Sequence, residues 1–437
     1  MSPAEIAAAR PYDLPLPGET PLDRARARMQ STGQWTASQT MGRRWPIGCV
    51  ALEITQRCNL DCTLCYLSEQ SEAVHDTPLP EIFRRIDAIA AHYGPNTDVQ
   101  VTGGDPTLRA RAELVAIVRR IRERGLRPSL FTNGIRATRG LLTELCDAGL
   151  VDVAFHVDTT QQRRGVVTEA DLHPIRTEYI ARARGLPLSV FFNTTVHAGN
   201  FAQIPDLVRF FVRHSDIVRL ASFQLQADTG RGVDRDRADV ISKESVARQV
   251  AAGAGAPIAF DTPGVGHQAC NRYAMTLVAN GRVHDLFDDK PLMTRLLIAT
   301  QHLQFDRTSR TRALRTLTAW MARHPIEALR AAPWAGRKLW AMRADLIAGR
   351  GRVQKLSFFI HDFMGATVLD RERIDACVFM AATADGPVSM CLHNARRDSF
   401  ILAPMRIGGT VWDPLTGTAG PGARPVRRIP LKGRQRA

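Results

Sequence analysis

The sequence predicts an α/β fold: a partial (β/α)6 barrel followed by a smaller C-terminal domain. Three observations predict it. From Gly48 to about Asp228, short β-branched apolar runs alternate with amphipathic helical stretches. The first of those runs leads directly into three closely spaced cysteines, Cys58, Cys62 and Cys65. The chain has 437 residues, 44% of them apolar, enough for two units and a sizeable core.

Taken in order, residues 1–45 are rich in Pro, Ala and Arg and read as a loose arm with one helix near Pro21–Gln30. The unit 46–260 then offers strands at Val50–Thr55, Val99–Thr102, Pro128–Thr132, Val151–Val157, Leu188–Thr195 and Ile217–Gln226. Helices are expected at Glu81–Tyr93, Arg111–Arg124, Arg139–Ala148, Ile175–Arg184 and Ile204–Arg213. In the second of these, Leu114, Val115, Val118 and Ile121 recur at helical spacing and form one apolar face. Strands joined by crossover helices pair in parallel with right-handed connections. In such sheets the functional loops gather at the C-terminal ends of the strands. The cysteine loop follows the first strand, so it belongs at that end.

A polar loop and a helix at Lys243–Ala252 close this unit. A second unit at 261–415 is expected, interrupted by a basic, helix-rich insertion at 291–352. Residues 416–437 repeat Gly, Pro and Arg and are expected to be disordered. The net charge of +15 is local. Residues 295–350 hold eleven Lys/Arg against Asp306, Glu327 and Asp345, and the stretch 417–437 holds six Lys/Arg and no acid. The rest of the chain is close to neutral. No basic-then-apolar leader and no apolar run near the ~18 residues of a membrane span is present, so a cytoplasmic setting is expected. Eight cysteines in that setting point to metal or catalysis rather than disulfides.

The chemistry begins at EITQRCNLDCTLCY, Glu53 to Tyr66. Iron–sulfur cubes are normally held by four thiolates, so a CxxxCxxC loop leaves one iron for another ligand. The competing reading is structural zinc, which closes with four ligands at CxxC-type spacing. The second strand ends in Thr102-Gly103-Gly104-Asp105-Pro106, where paired glycines permit close backbone approach; alone it would read as a turn. Polar groups end the next three strands: Thr132-Asn133-Gly134, His156-Val157-Asp158 and Asn193-Thr194-Thr195, each equally readable as a turn or cap.

The triplet and the glycine pair one strand later resemble the radical SAM superfamily. The resemblance implies a partial TIM-like barrel, a catalytic 4Fe–4S cluster on Cys58, Cys62 and Cys65, and S-adenosylmethionine on the open iron. It implies a GGEP-like contact from Gly103, Gly104, Asp105 and Pro106 to the methionyl amino group, Asp105 standing where Glu is commoner. Asn133, Asp158 and Asn193 are implied as cofactor- or substrate-side groups, Asn193 foremost, with Tyr66 beside the adenine and His156 equally readable as a core histidine. It further implies reduction by a flavodoxin- or ferredoxin-type donor, and a radical that takes hydrogen from an unactivated C–H bond. The cofactor supplies the difficult step and the protein supplies placement.

Cys377, Gly386 and Cys391 form a C-x8-G-x4-C half-motif similar to SPASM-type auxiliary cluster domains. Cys270 with Gly281 resembles a second half-motif in which Leu286 has replaced the paired cysteine. Each reads as a hairpin with Asn280-Gly281 or Asp385-Gly386 at its turn. Cys270, Cys377 and Cys391 would then hold an auxiliary 4Fe–4S cluster, with His267, substrate or water on its fourth iron. The plain alternative is three buried, inert cysteines. Cys49 and Cys146 are read as structural.

Phe363-Met364, Leu369-Asp370, Glu372-Arg373 and Cys391-Leu392-His393-Asn394 also resemble the tetraether lipid synthase group and its bacterial relatives. That points to a lipid-like substrate. The insertion, with Trp320, Trp334 and Trp340 among its basic residues, suits an anionic membrane surface at the inner face of the membrane. Nucleic acid is the lesser alternative, and a solvated Arg-rich face the plain one. Maturation of a ribosomally made peptide and a non-catalytic, cluster-bearing binding protein complete the alternatives.

Overall fold

The computed structural model describes residues 14–34, 47–232, 237–260, 262, 264–303, 305 and 309–420. Residues 1–13, 35–46 and 421–437 lie outside these; of the stretch 416–437 expected to be disordered, only 416–420 is described, and it includes a short strand at Thr418–Gly420. Helix α1 (Pro21–Ser31) stands where the arm's helix was expected, capped by the Thr20 hydroxyl.

Six parallel strands follow in chain order. They are β1 (Cys49–Thr55), β2 (Asp98–Gly103), β3 (Arg127–Thr132), β4 (Asp152–His156), β5 (Ser189–Val196) and β6 (Val218–Leu225). Between them run α2 (Leu79–Tyr93), α3 (Arg111–Glu123), α4 (Arg139–Asp147), α5 (His173–Ala183) and α6 (Ile204–Arg213). Alternation along the strands decides the layering. Val50, Leu52 and Ile54 of β1 are fully buried, in one core with Ile82 and Ile86 of α2. The residues between them, Ala51 and Glu53, pair in register with Gln100 and Thr102 on the opposite, partly open face. That face continues across β4, β5 and β6 through His156, Asn193 and Ser222, which are neighbours in register.

The sheet does not stop at six strands. After α7 (Lys243–Ala254), the hairpin β7 (Asn271–Ala279) and β8 (Arg282–Asp285) precedes β9 (Gln354–His361), which pairs parallel with β6. At the other edge, β10 (Phe379–Thr383) pairs parallel with β1 and carries β11 (Gly386–Ser389) as its hairpin partner. The result is one 11-stranded sheet in the order β11-β10-β1-β2-β3-β4-β5-β6-β9-β7-β8. The expected boundary at 260/261 therefore does not divide it. β9 and β10 share no strand pairing, but their side chains meet. The Phe359 and Phe379 rings lie 5.7 Å apart edge to face, and His361 stacks on Phe359 at 4.1 Å. Chain from the second unit thus covers both edges of the six-stranded sheet, edges that would otherwise present unpaired backbone groups.

Both expected hairpins are present, but the second turns one residue earlier than expected: Thr383 pairs with Gly386, so Ala384 and Asp385 form its turn. Asn280 and Gly281 adopt φ values of +49° and +74°, as a two-residue turn of the favoured hand requires. The basic insertion lies between β8 and β9 as α8 (Lys290–Ala299), α9 (Arg310–Arg323) and α10 (Pro325–Ala348). Short helices α11 (Arg371–Asp375), α12 (Met390–Ala395) and α13 (Arg397–Ile401) precede a three-stranded sheet of β12 (Met405–Ile407), β13 (Thr410–Asp413) and β14 (Thr418–Gly420). Among the described residues, no helix is long and apolar enough to cross a membrane.

Candidate cluster and cofactor site

Cys58, Cys62 and Cys65 leave β1 at the C-terminal end of the sheet as half-buried free thiols. Three neighbouring segments pin their loop. At the end of β2, the Gly104 amide donates to Thr55 O at 2.9 Å and the Asp105 amide to Arg57 O at 2.7 Å. From beyond β6, the Arg231 amide donates to Cys65 O at 2.9 Å and its guanidinium pairs with Asp61 and Glu72. From beyond β4, Thr160 O accepts the Thr63 amide at 3.0 Å.

The glycine pair serves this packing. A Cβ on Gly103 would stand 1.9 Å from Thr55 O, and one on Gly104 2.0 Å from Arg57 O. Close approach is required, but by the loop that carries the cysteines. Asp105 is likewise committed to the protein. It is 1% exposed. One carboxylate oxygen accepts from the Thr107 amide and hydroxyl, the other from Thr132 Oγ1 and the Asn133 amide, each at 2.8 Å. This carboxylate joins the ends of β2 and β3 and caps the turn at Pro106. Asn133 does face the triplet: its Nδ2 donates to Asn59 Oδ1 at 2.7 Å and lies 3.9 Å from Cys58 Sγ.

Asp158 is likewise engaged by the protein. It is wholly buried and holds the Thr160 amide, the Thr160 hydroxyl and the Thr195 amide, while its Oδ2 lies 2.7 Å from His156 Nε2. Burial would raise this carboxyl, but His156 and the donated hydrogen bonds hold it far below the usual range. The group that faces outward is His156, whose side chain keeps 34% exposure. Burial disfavours its imidazolium, and Asp158 outweighs that and raises it. Asn193 stands beside it in register, its amide bonded to no described residue.

A buried network beside the triplet was not expected from sequence. Glu53 and Arg397 form a two-pronged ion pair, with both N–O distances 2.8 Å, although 344 residues separate them. Burial pushes the Glu53 carboxyl up, yet Arg397 outweighs it and holds it at about 2. The Arg397 guanidinium also lies 4.6 Å from the Tyr66 ring centroid, and the Tyr66 hydroxyl donates to Gly103 O at 2.7 Å. Tyr66 therefore links the triplet loop to the glycine pair. The available sequence signal was Glu53 itself, a carboxylate in an otherwise apolar strand, which demands a partner when buried.

Burial pushes all three triplet thiols up, and each loses a proton on binding metal. At Cys65 the guanidiniums of Arg231 and Arg397 oppose the rise and favour thiolate. A sulfur donor set with two cations behind it fits an iron–sulfur cluster. Among the described residues, no three His, Cys, Asp or Glu side chains converge on one metal ion.

The second three thiols lie close enough to influence one another's ionisation, without forming a group that could hold one metal ion. Cys270 precedes β7, Cys377 precedes β10 and Cys391 opens α12. Arg373 Nε donates to Cys270 Sγ at 3.3 Å and its Nη2 to Asp362 O. Burial, then Cys377, pushes Cys270 up to about 11, with Arg373 opposing. Cys377 and Cys391 are buried, and Cys377 Sγ donates to Phe379 O at 3.0 Å.

The thiol-bearing loop thus lies at the C-terminal end of a parallel α/β sheet, where such folds carry their functional loops. Residues 52–211 match the model of the Radical SAM superfamily. That match supports a 4Fe–4S cluster and S-adenosylmethionine as cofactors. Relatives include the 7,8-dihydro-6-hydroxymethylpterin dimethyltransferase of Methanocaldococcus jannaschii, 28% identical over 41% of this chain and 36% of its own length. A probable GTP 3',8-cyclase of Pyrococcus abyssi is 33% identical over 41% of this chain and 58% of its own. A PqqA peptide cyclase of Bradyrhizobium diazoefficiens is 29% identical over 37% and 43%. The chain thus spans between about a third and three fifths of these relatives.

Proposed function

We propose that this protein is a radical SAM enzyme whose catalytic 4Fe–4S cluster is held by Cys58, Cys62 and Cys65. The observation that carries the reading is the triplet loop itself, pinned at the C-terminal end of the sheet with Arg231 and Arg397 behind Cys65. When bound, the cluster and S-adenosylmethionine supply a radical able to take hydrogen from an unactivated C–H bond. The chain's residues supply placement. Gly103 and Gly104 hold the loop against β2, Asn133 abuts Cys58, and His156 and Asn193 offer polar groups on the open face. The electron donor is of flavodoxin or ferredoxin type. Anaerobically reconstituted protein should form 5′-deoxyadenosine under dithionite, and Cys62→Ala should form none. Turnover retained in that variant sinks the proposal, and none in the wild type favours a non-catalytic binding protein.

The substrate class best supported is a ribosomally made peptide, because PqqA peptide cyclases recur among the relatives. A lipid substrate gains no support there, since the relatives reported are named for a pterin, GTP and a peptide. Incubation with candidate precursor peptides should change a peptide's mass. Modification of extracted lipid in place of any peptide would reverse the assignment.

A second reading concerns location. The outer face of α10 exposes Leu329 (74%), Trp340 (68%) and Ile347 (80%), flanked by Arg330, Arg337 and Arg343. An apolar stripe edged by arginines suits an anionic membrane interface better than a nucleic acid. Anionic vesicles should bind the protein at low salt and bind Trp340→Ala more weakly. Equal retention of both proteins, or none of either, removes the reading.

A further inference from the structure

We infer that Arg397 is a positioning residue for the triplet loop, delivered from the C-terminal end of the chain. It is 3% exposed and sits at the start of α13. Its guanidinium reaches three points that frame the loop. Both nitrogens of its fork meet Glu53, at the end of β1 where the loop departs. Nη1 also donates to Gln56 Oε1 at 3.2 Å, within the loop's first turn. The guanidinium plane lies over Tyr66, the residue after the last cysteine, and Tyr66 carries the contact on to Gly103 O. One group therefore fixes the loop's entry, its exit and its seat on β2.

Only arginine has the planar fork that serves a carboxylate and a ring face together; lysine brings a point charge. A guanidinium buried this deeply is also costly without those partners. Nη2 donates to Asn394 Oδ1 at 2.9 Å, which ties Arg397 to α12. The first turn of α12 carries Cys391, one of the second thiol trio. The α12–α13 pair thus supports both thiol groups, so residues far outside the segment matched to the superfamily help to shape its site.

That the loop Arg397 positions holds a cluster rests on the proposed function, so the test includes a measurement that does not. Amide hydrogen exchange is followed over residues 56–66 and, as a remote control, 139–147, in the full chain with and without cluster. Arg397→Met should speed exchange over 56–66 by about tenfold or more and leave 139–147 unchanged, because local opening is released without global unfolding. The loaded variant should keep its iron but lose the change that S-adenosylmethionine makes in the electron paramagnetic resonance signal of the reduced cluster. Its KM for S-adenosylmethionine should rise more than its kcat falls. Unchanged exchange over 56–66 overturns the inference. Should Arg397→Met fail to fold, Arg397→Lys decides: raised exchange supports the fork and stack, and wild-type exchange overturns them. A wild type that cleaves no S-adenosylmethionine defeats the proposed function but leaves the exchange comparison standing.

Discussion

Two groups of three cysteines lie in this molecule, each with an arginine against it, and they are built in opposite ways. Cys58, Cys62 and Cys65 belong to one loop, half-buried, with Arg231 and Arg397 brought to them by other segments. Cys270, Cys377 and Cys391 come from three separate segments, the last two buried, and Arg373 hydrogen-bonds the Cys270 thiol. The first group depends on a loop being held in place. The second depends on the whole sheet closing, because β7 and β10 lie on opposite sides of the β9–β10 seam. A local constellation survives rearrangement elsewhere, whereas a convergent one reports on the fold.

The largest expected effect separates the two groups directly. With Cys58, Cys62 and Cys65 all changed to Ala, iron should fall by about four per chain, and about four should remain on the second trio. Changing Cys270, Cys377 and Cys391 instead should remove the other four. Iron and sulfide analysis after anaerobic reconstitution checks both. If the first variant holds no iron while wild type holds one cube, the C-terminal thiols are structural and the comparison collapses to a single site.

Gly103 tests how rigidly the first site is seated. Its φ of +136° and the 1.9 Å clash of an added Cβ with Thr55 O leave no small adjustment. Gly103→Ala should cost about 3 kcal/mol or more and lower iron content, as strain and overpacking combine. A melting temperature and iron content equal to wild type would show that the loop can move away from β2.

Glu53 gives the pH dependence. Its carboxyl is held at about 2 in the folded chain against an ordinary 4.5. A lowered folded value means that the contribution is present above about pH 4.5 and is lost as pH falls toward 2. It amounts to about 3 kcal/mol, an upper figure for a buried pair. Melting curves of cluster-free protein should therefore fall more steeply over this window for wild type than for Glu53→Gln. Parallel curves would mean that the pair with Arg397 is replaceable.

The comparison also marks what could be read from the sequence. The six parallel strands and the triplet were legible because short β-branched apolar runs and cysteine spacing are local signals. The β7–β8 turn was legible from Asn280-Gly281, whereas the β10–β11 turn falls at Ala384-Asp385, one residue before the dipeptide expected. The completion of the sheet by β9 and β10 was not, because the choice of edge depends on pairing across long stretches of chain. Asp105 and Asp158 were placed at the correct strand ends, but their full set of protein donors exists only once β2 meets β3 and β4 meets β5. Arg397 had no local signal at all; its partner Glu53 lies 344 residues away.

The smallest effect is expected where a glycine serves only a turn. Gly281 has φ +74°, and an added Cβ meets nothing within 4 Å. Gly281→Ala should therefore cost about 1 kcal/mol, the price of the left-handed backbone alone. The hairpin it closes carries Cys270 at the far end of β7, ten residues from the turn's Asn280. If the second trio depends on sheet closure and not on this turn, iron on it should stay unchanged while the melting temperature drops by a few degrees. Loss of iron with so small a destabilisation would instead make the β7–β8 hairpin the element that sets Cys270, and the second site would prove as locally built as the first.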